Sequence, residues 1–342
     1  MNRVLPNSVG RRVIVVLLVT QVFAFTVRGS DALSVNESKP THVKISADGG
    51  VFSADSKHLY IMTHSDAGDR VLLAVLDADS GEKVAEHVMP IDGHFSHDAR
   101  HLVSQVGEQA PVVWRIDLAS KEPFAKQFAL KGFEGRVWTV AFSPDGKYIA
   151  TASQVSGPQQ RCVQLWSMKG EKVAAFFGED SIDQPLAFSS NSRVLVCNCR
   201  KAAYAVDVPA MNRIEQFPID DDAGKYDRVA GARPLDDEHL ISWTNESVRI
   251  HSIKNGVTTK RVRVPLACNN VFVIDKKRCL ASCSSGSYIV DMTDASITKL
   301  PDEPKPPLFD GGPAYAISPD GMHFAKLRYS GIAIYSLPAA GK

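Results

Sequence analysis

The chain has 342 residues, with 39 Lys and Arg against 38 Asp and Glu, and a formal net charge of +1. Because no run of five or more basic residues accompanies this balance, nucleic-acid binding has no electrostatic support. The length would allow two domains or one large all-β domain, and the alternation of strand-forming and turn-forming residues favours the single all-β domain.

The N-terminal part of the chain is predicted to be a secretory signal peptide over residues 1–32. Three arginines precede the uncharged stretch Val13–Val27, and small-residue patterns predict cleavage after Ala24 or Ala32. The uncharged stretch is shorter than the roughly 20 apolar residues that span a bilayer. An uncleaved membrane anchor stays open as the alternative, and residues 33–40 are predicted to be a linker.

The clearest structural unit is the stretch Val137–Ser167. The turn Ser143–Gly146 has Pro, Asp and Gly in the order that tight turns favour. Strand-forming residues precede and follow this turn, a further strand ends at Trp166, and Glu171–Phe177 reads as a fourth. One continuous segment therefore predicts a four-stranded antiparallel sheet, which needs neighbours to cover its two apolar faces.

Weaker copies of this unit recur along the chain. An apolar residue follows each predicted turn, and these anchor residues are spaced 40 to 47 residues apart. The anchors are Leu59, Leu102, Ile149, Leu195, Leu240, Leu280 and Phe324. An apolar residue followed by Asp or Ser also closes the third strand of nearly every unit, as in Ile116-Asp117 and Val290-Asp291. A steady period of this length is typical of β-propellers.

The run FSPDGKYIATAS followed by VQLW resembles the WD40 repeat. The resemblance implies an all-β, seven-bladed propeller of four-stranded antiparallel blades over residues 41–338. The chain also departs from the family: Glu134-Gly135 stands where Gly-His is usual, and the loop after the second strand lacks the usual Asp. Ser153 and Trp166 are thus expected to lack the partners of the hydrogen-bond network that braces a WD40 blade.

The last unit has only seven residues after Tyr335, which is too few for a fourth strand. The segment Thr41–Ser46 has a strand pattern but no unit of its own. We therefore predict that it pairs with Ile332–Tyr335, supplies the missing strand and closes the ring of blades.

Candidate partner-binding residues lie where inner strands begin, near the rim of the predicted central channel. Trp138 and Arg136 are residue types that interfaces favour as anchors, although packing of Trp138 between blades is an equal alternative. Asp183 and Tyr226 take comparable places in later units.

Six cysteines are present, an even number that allows disulfides in an exported chain. Pairing about the turn near Asp275 would place Cys268 opposite Cys283, so a cross-strand disulfide is one interpretation, and small buried hydrophobic residues are the other. The cysteines are Cys162, Cys197, Cys199, Cys268, Cys279 and Cys283.

Other reactive groupings are weaker. Asp220–Asp222 could bind calcium but lies in a predicted solvated loop. His94, His97 and His101 cluster around a predicted turn, but His97 occupies the variable position of the turn motif. The sequence has no catalytic Ser, zinc-helix, phosphate-loop or dinucleotide motif, so neither a cofactor nor a metal is expected.

The sequence favours a non-enzymatic, extracytoplasmic scaffold that binds other proteins as a monomer through its rim and loops. The rival hypothesis is a propeller enzyme, lactonase-like or sugar-processing, with a site at the mouth of the central channel. Membrane attachment is expected only if the N-terminal segment stays uncleaved.

Overall fold

A computed structural model describes residues 40–44, 47, 49–65, 70–89, 93–106, 109–133, 135–154, 162–177, 186–198, 202–218, 231–265, 268–300, 314–328 and 331–337. The predicted signal peptide and all but the last residue of the predicted linker lie outside these ranges. Within them every regular element is a strand, and the strands form seven four-stranded antiparallel sheets. The predicted fold class, an all-β seven-bladed propeller, is confirmed.

The sheets are numbered as blades in chain order, and their strands have the following bounds. Blade 1 contains β2 (Gly49–Phe52), β3 (His58–His64), β4 (Val71–Asp77) and β5 (Lys83–Val88). Blade 2 contains β6 (His94–Phe95), β7 (His101–Ser104), β8 (Val112–Ile116) and β9 (Phe124–Ala129). Blade 3 contains β10 (Arg136–Phe142), β11 (Tyr148–Gln154), β12 (Cys162–Ser167) and β13 (Lys172–Phe177). Blade 4 contains β14 (Ala187–Phe188), β15 (Val194–Asn198), β16 (Ala202–Asp207) and β17 (Arg213–Pro218).

The remaining blades follow the same plan. Blade 5 contains β18 (Gly231–Pro234), β19 (His239–Trp243), β20 (Ser247–Ser252) and β21 (Thr258–Arg263). Blade 6 contains β22 (Cys268–Val273), β23 (Arg278–Cys283), β24 (Gly286–Asp291) and β25 (Ile297–Lys299). Blade 7 contains β26 (Ala314–Ile317), β27 (His323–Arg328), β28 (Gly331–Ser336) and, as its fourth strand, β1 (Thr41–Val43).

The chain divides into two compact units. One is drawn from Met1–Ala99, Leu118–Phe124 and Glu303–Lys342, and the other from Arg100–Asp117 and Ala125–Asp302. In the first unit, β2 and β3 pack with β27 and β28 around a core that includes Phe52, Leu59 and Leu327. In the second, the cores of blades 3 and 4 share one cluster and those of blades 5 and 6 share another.

Burial distinguishes the strands within a blade. All residues of β15 and β23 are buried, which is expected for strands that are covered on both faces. The fourth strand β5, in contrast, has no buried residue. Four fourth strands carry a β-bulge at the same place, whose extra residues are Val84, Val173, Ile214 and Thr259. A bulge twists an edge strand and hinders pairing with another chain.

The predicted turns form in five of the described blades, as Ser-x-Asp in four and as Ser-x-Asn in blade 4, and their geometry explains the repeat. The Ser143 hydroxyl donates to the Asp145 carboxylate at 2.7 Å and accepts the backbone N–H of Tyr148 at 2.8 Å. The turns beginning at Ser53, Ser189 and Ser318 repeat both contacts. In the turn beginning at Ser96, the hydroxyl likewise donates to Asp98 at 2.5 Å.

Blades 5 and 6 have a turn that is one residue shorter. The backbone N–H of Leu235 bonds to the carbonyl of His239, four residues on, whereas Ser53 bonds to His58, five residues on. In blade 6 the same shortening pairs Val273 with Cys279. The anchor of blade 6 is therefore Cys279, and the predicted anchor Leu280 is wrong by one residue.

The third strand of blade 2 also differs from its prediction. Leu102 pairs with Trp114, as Ile149 pairs with Trp166 in blade 3. Trp114, and not Ile116, is thus the counterpart of Trp166. The prediction failed because blade 2 has two more residues between this Trp and the following turn than blade 3 has.

A hydrogen bond between the third and second strands is present where the sequence predicted none. The indole N–H of Trp166 donates to the hydroxyl of Thr151 at 2.9 Å, and that of Trp114 donates to Ser104 at 2.8 Å. In blade 5, Nε2 of His251 lies 2.7 Å from the hydroxyl of Ser242. Each hydroxyl lies two residues beyond the strand partner of its ring, a diagonal neighbour on the same face. The expectation that Trp166 has no partner is wrong; Ser153 does have a buried hydroxyl without a hydrogen bond.

The predicted pairing of the N-terminal strand with the last one is confirmed. Thr41 faces Ile334, His42 faces Ala333 and Val43 faces Ile332 in antiparallel register. Closure of the whole ring by this strand stays a prediction.

Candidate functional site

Trp138 is the extra residue of a β-bulge in β10, the first strand of blade 3. Val137 pairs with Ser153 and Thr139 with Ala152, so one more residue lies on β10 than on β11 at this point. A bulge redirects the side chain of its extra residue, and the side chain of Trp138 is 50% exposed. The structure therefore presents a large aromatic ring at the surface near the start of a first strand.

The backbone on either side of Arg136 is held by one side chain from the preceding blade. The carboxamide of Gln105, just after β7, accepts the N–H of Val137 at 2.7 Å and donates to the carbonyl of Gly135 at 2.9 Å. It also donates to the carbonyl of Gln109 at 3.0 Å. A side-chain amide thus pairs with the strand as a peptide group would. Arg136, between the two bonded residues, is exposed.

The same device occurs between blades 4 and 5. The carboxamide of Asn198 accepts the N–H of Ala232 at 2.6 Å and donates to its carbonyl at 2.9 Å. Asn198 and Gln105 each lie three residues after the anchor of their blade, Leu195 and Leu102. Neither residue was predicted from the sequence. The sequence feature that the two residues share is a carboxamide three residues after the anchor. This feature indicates a contact only when the first strand of the next blade is known to lie beside it.

A second bulge of the same kind lies in blade 6. Cys268 pairs with Cys283 and Asn270 with Ser282, which makes Asn269 the extra residue. This bulge and that at Trp138 each lie four residues before the end of the first strand.

A partly buried arginine, Arg233, lies on the first strand of blade 5. The guanidinium carbon of Arg233 is 4.7 Å from the centre of the Phe272 ring on β22. Burial lowers the pKa of Arg233 to about 10, and its Nε has no hydrogen-bond partner. The ring face supplies a cation–π contact that partly offsets the cost of burial.

Of the four predicted partner-binding residues, the structure describes two. Trp138 and Arg136 lie two residues apart on β10 and are both exposed. Asp183 and Tyr226 lie outside the described residues, as does the Asp220–Asp222 cluster.

Four of the six cysteines are buried: Cys197, Cys268, Cys279 and Cys283. Cys162 lies on β12 opposite Phe177, and Cys199 is outside the described residues. The predicted opposition of Cys268 and Cys283 is confirmed.

Within the described ranges, no group of three His, Cys, Asp or Glu side chains is arranged to hold a metal ion. His101, one of the three clustered histidines, stacks on Phe142 with ring centres 6.0 Å apart. In the same ranges no helix has the length and hydropathy for a membrane span.

A scan of the chain against models of known protein families finds no match, and a search of curated proteins finds none either.

Proposed function

We propose that this propeller is a non-enzymatic extracytoplasmic scaffold that binds another protein through the start of β10, with Trp138 as the anchor and Arg136 beside it. The main observation behind this proposal is that Trp138 is 50% exposed on a bulge. The backbone next to this bulge is held by two hydrogen bonds from Gln105.

The chemistry of the two side chains supports a protein partner. Exposed Trp and Arg are the residues most enriched among those that dominate binding energy at protein interfaces. A half-exposed indole can bury its apolar face in a pocket of the partner. Arg136 favours a partner that offers a carboxylate beside that pocket.

The hydrogen bonds from Gln105 support the same proposal because they reduce the conformational entropy that binding would cost. Residues 135–137 are fixed by two hydrogen bonds from Gln105, so little backbone freedom is lost when a partner binds. A surface that is ordered before binding is suited to recognition on a rigid scaffold.

Export and repeat family are further parts of the proposal. The charge-free stretch Val13–Val27 after three arginines supports export. The Ser-x-Asp turns and the Trp166–Thr151 contact support a WD40-like repeat. N-terminal sequencing of the exported protein is expected to begin after Ala24 or Ala32; a start at Met1 would identify the uncleaved anchor instead.

Site-specific crosslinking tests the binding surface. A photoreactive phenylalanine analogue replaces Trp138 in the full chain, and in a second protein it replaces Val173. Val173 is the matched control because it is also an extra bulge residue, lies in the same sheet and is 43% exposed. We expect a discrete crosslinked partner from the extracytoplasmic fraction at position 138 only.

Affinity for the identified partner then tests the role of the indole. Trp138→Ala is expected to weaken binding about 30-fold or more, the effect of losing an interface anchor, and Val173→Ala to leave it unchanged. Equal crosslinking at both positions, or unchanged affinity of Trp138→Ala, would contradict the proposal.

A further inference from the structure

Two cysteines face each other across the first and second strands of blade 6. Cys268 begins β22 and Cys283 ends β23, and the two are direct partners in the antiparallel register. Such partners have Cα atoms about 4.5–5.5 Å apart, within the range of about 4.4–6.8 Å that a disulfide requires. Neither strand would have to move for a bond to form.

The environment of the two thiols is asymmetric. Cys268 is fully buried, whereas Cys283 is 8% exposed and directly precedes the turn that leads into β24. The thiol of Cys268 donates to the backbone carbonyl of Asn270 at 3.7 Å, and contact with the Cys268 side chain lowers the pKa of Cys283. The same contact, together with burial, raises the pKa of Cys268. The more accessible sulfur is thus also the better nucleophile.

We propose that Cys268 and Cys283 are a dithiol pair that is converted into a cross-strand disulfide by exchange with the disulfide of a thiol oxidant. The thiolate of Cys283 attacks the oxidant, forms a mixed disulfide and releases one thiolate. Cys268 then loses its proton and attacks the Cys283 sulfur, which forms the Cys268–Cys283 bond and expels the second thiolate. The two cysteines lose two electrons and two protons, and the oxidant is reduced to two thiols.

The position of the pair gives the bond a structural consequence. Cys268 directly precedes the bulge residue Asn269, so the disulfide would fix the start of β22 where the ladder is interrupted. It would also close a loop of about 16 residues around the β22–β23 hairpin, which reduces the freedom of the unfolded chain. The oxidised protein is therefore expected to melt a few degrees above the reduced protein.

The other two described thiols serve as internal controls. Cys279 faces Val273 and Cys197 faces Tyr204, so neither has a cysteine as its strand partner. Burial also raises the pKa of Cys279. Both are expected to stay reduced under conditions that oxidise the pair.

Oxidation of the purified full chain tests the proposal. The reduced protein is incubated with oxidised glutathione, quenched in acid, alkylated after unfolding and digested for peptide mass analysis. We expect a linked peptide containing Cys268 and Cys283, with Cys197 and Cys279 alkylated. Alkylation of both Cys268 and Cys283, or a link to any other cysteine, would overturn the proposal.

Single variants separate the two chemical steps. Cys268→Ser keeps the attacking sulfur and is expected to accumulate a glutathionyl group on Cys283, because the resolving thiol is gone. Cys283→Ser is expected to react much more slowly, since Cys268 is buried. A further measurement does not require a serine variant to fold. Addition of a reductant should lower the melting temperature of the oxidised wild-type protein, and an unchanged melting temperature would contradict the disulfide. None of these measurements depends on a binding partner, so the proposed scaffold function and the disulfide can fail separately.

Discussion

The hydroxyl of Ser192 accepts a hydrogen bond from the backbone N–H of Asp145, at 3.0 Å, and so joins the turn of blade 4 to that of blade 3. Ser192 has φ 63°, in the left-handed region, at the turn position that Gly146 fills in blade 3 with φ 68°. Ser56 repeats the arrangement: its φ is 62° and its hydroxyl accepts the N–H of Asp320 at 3.2 Å. A serine is thus used at a position that favours glycine, and the strain is offset by a bond between neighbouring blades.

The Ser192 turn predicts an unusual order of stability among substitutions. Ser192→Ala keeps the strained backbone and leaves the Asp145 N–H without its acceptor, so we expect a loss of about 1–3 kcal/mol. Ser192→Gly loses the same bond but relieves the strain, and should cost about 1 kcal/mol less than Ser192→Ala. Chemical denaturation measures both. If glycine destabilised as much as alanine, the left-handed conformation would not be a source of strain.

The contact between Trp166 and Thr151 predicts opposite effects for two neighbouring hydroxyls on β11. Thr151→Val preserves the shape of the side chain but leaves the buried indole N–H without a partner, at a cost of about 1–3 kcal/mol. Ser153→Ala removes a buried hydroxyl that has no hydrogen bond, and should be neutral or stabilising. Thermal unfolding of the two variants beside Thr151→Ser checks this. A larger loss for Ser153→Ala than for Thr151→Val would mean that Ser153 is the partner that matters.

The turns could be predicted from the sequence because their chemistry is local. Ser143 and Asp145 are two residues apart and make their contacts within one turn, so the motif marks each of the five blades that carry it. The partner of Trp166 could not be assigned in this way, since Thr151 and Ser153 share a face of β11. Only the pairing of Ile149 with Trp166 identifies the nearer hydroxyl.

The bulges and clamps escaped prediction for a related reason. A bulge arises when one strand has one residue more than its partner between two paired positions. The sequence around Trp138 does not show that β10 has this extra residue relative to β11. Gln105 contacts backbone 30 and 32 residues further along the chain. Strong local turn signals therefore predicted the architecture, but not the long-range contacts that hold the backbone beside Trp138 in place.

Hydrogen bonds in the turns predict how stability depends on pH. The hydroxyl of Ser53, followed by the N–H of Lys57, lowers the pKa of Asp55 below its usual 3.8. The unfolded chain therefore binds a proton more readily than the folded one. The stability that these hydrogen bonds to the Asp55 carboxylate contribute is present above pH 3.8. It is lost as the pH falls through the lower pKa that Asp55 has in the folded protein. The pKa values of the corresponding carboxyls are lowered too, in Asp145, Asp236, Asp275 and Asp320.

Ser53→Ala tests this dependence. The variant should be less stable than the wild type at neutral pH, and the gap should narrow as the pH falls below 3.8, because the carboxylate that Ser53 stabilises becomes protonated. Asp55→Asn is the matched control, since blade 4 uses Asn191 at this position and an amide does not titrate. In the Asn background the effect of Ser53→Ala should not vary over this pH range. If the stability difference caused by Ser53→Ala did not change with pH in either the Asp55 or the Asn background, Ser53 would act only through its bond to the N–H of His58.

The pairing of β1 with β28 predicts that three residues near the start of the described chain support the whole fold. Val43 is buried in the core of its unit, whereas its neighbour His42 is exposed. Val43→Asp would bury an unpaired charge and should cost more than about 3 kcal/mol, while His42→Asp should change stability by less than about 0.5 kcal/mol. Thermal unfolding and hydrogen exchange at Ile332 and Ile334 are the measurements. If β1 closes the ring, Val43→Asp lowers the melting temperature of the entire protein and removes the protection of β28 together. Faster exchange at β28 with an unchanged melting temperature would instead make β1 an added edge strand, because the remaining blades would then hold without it.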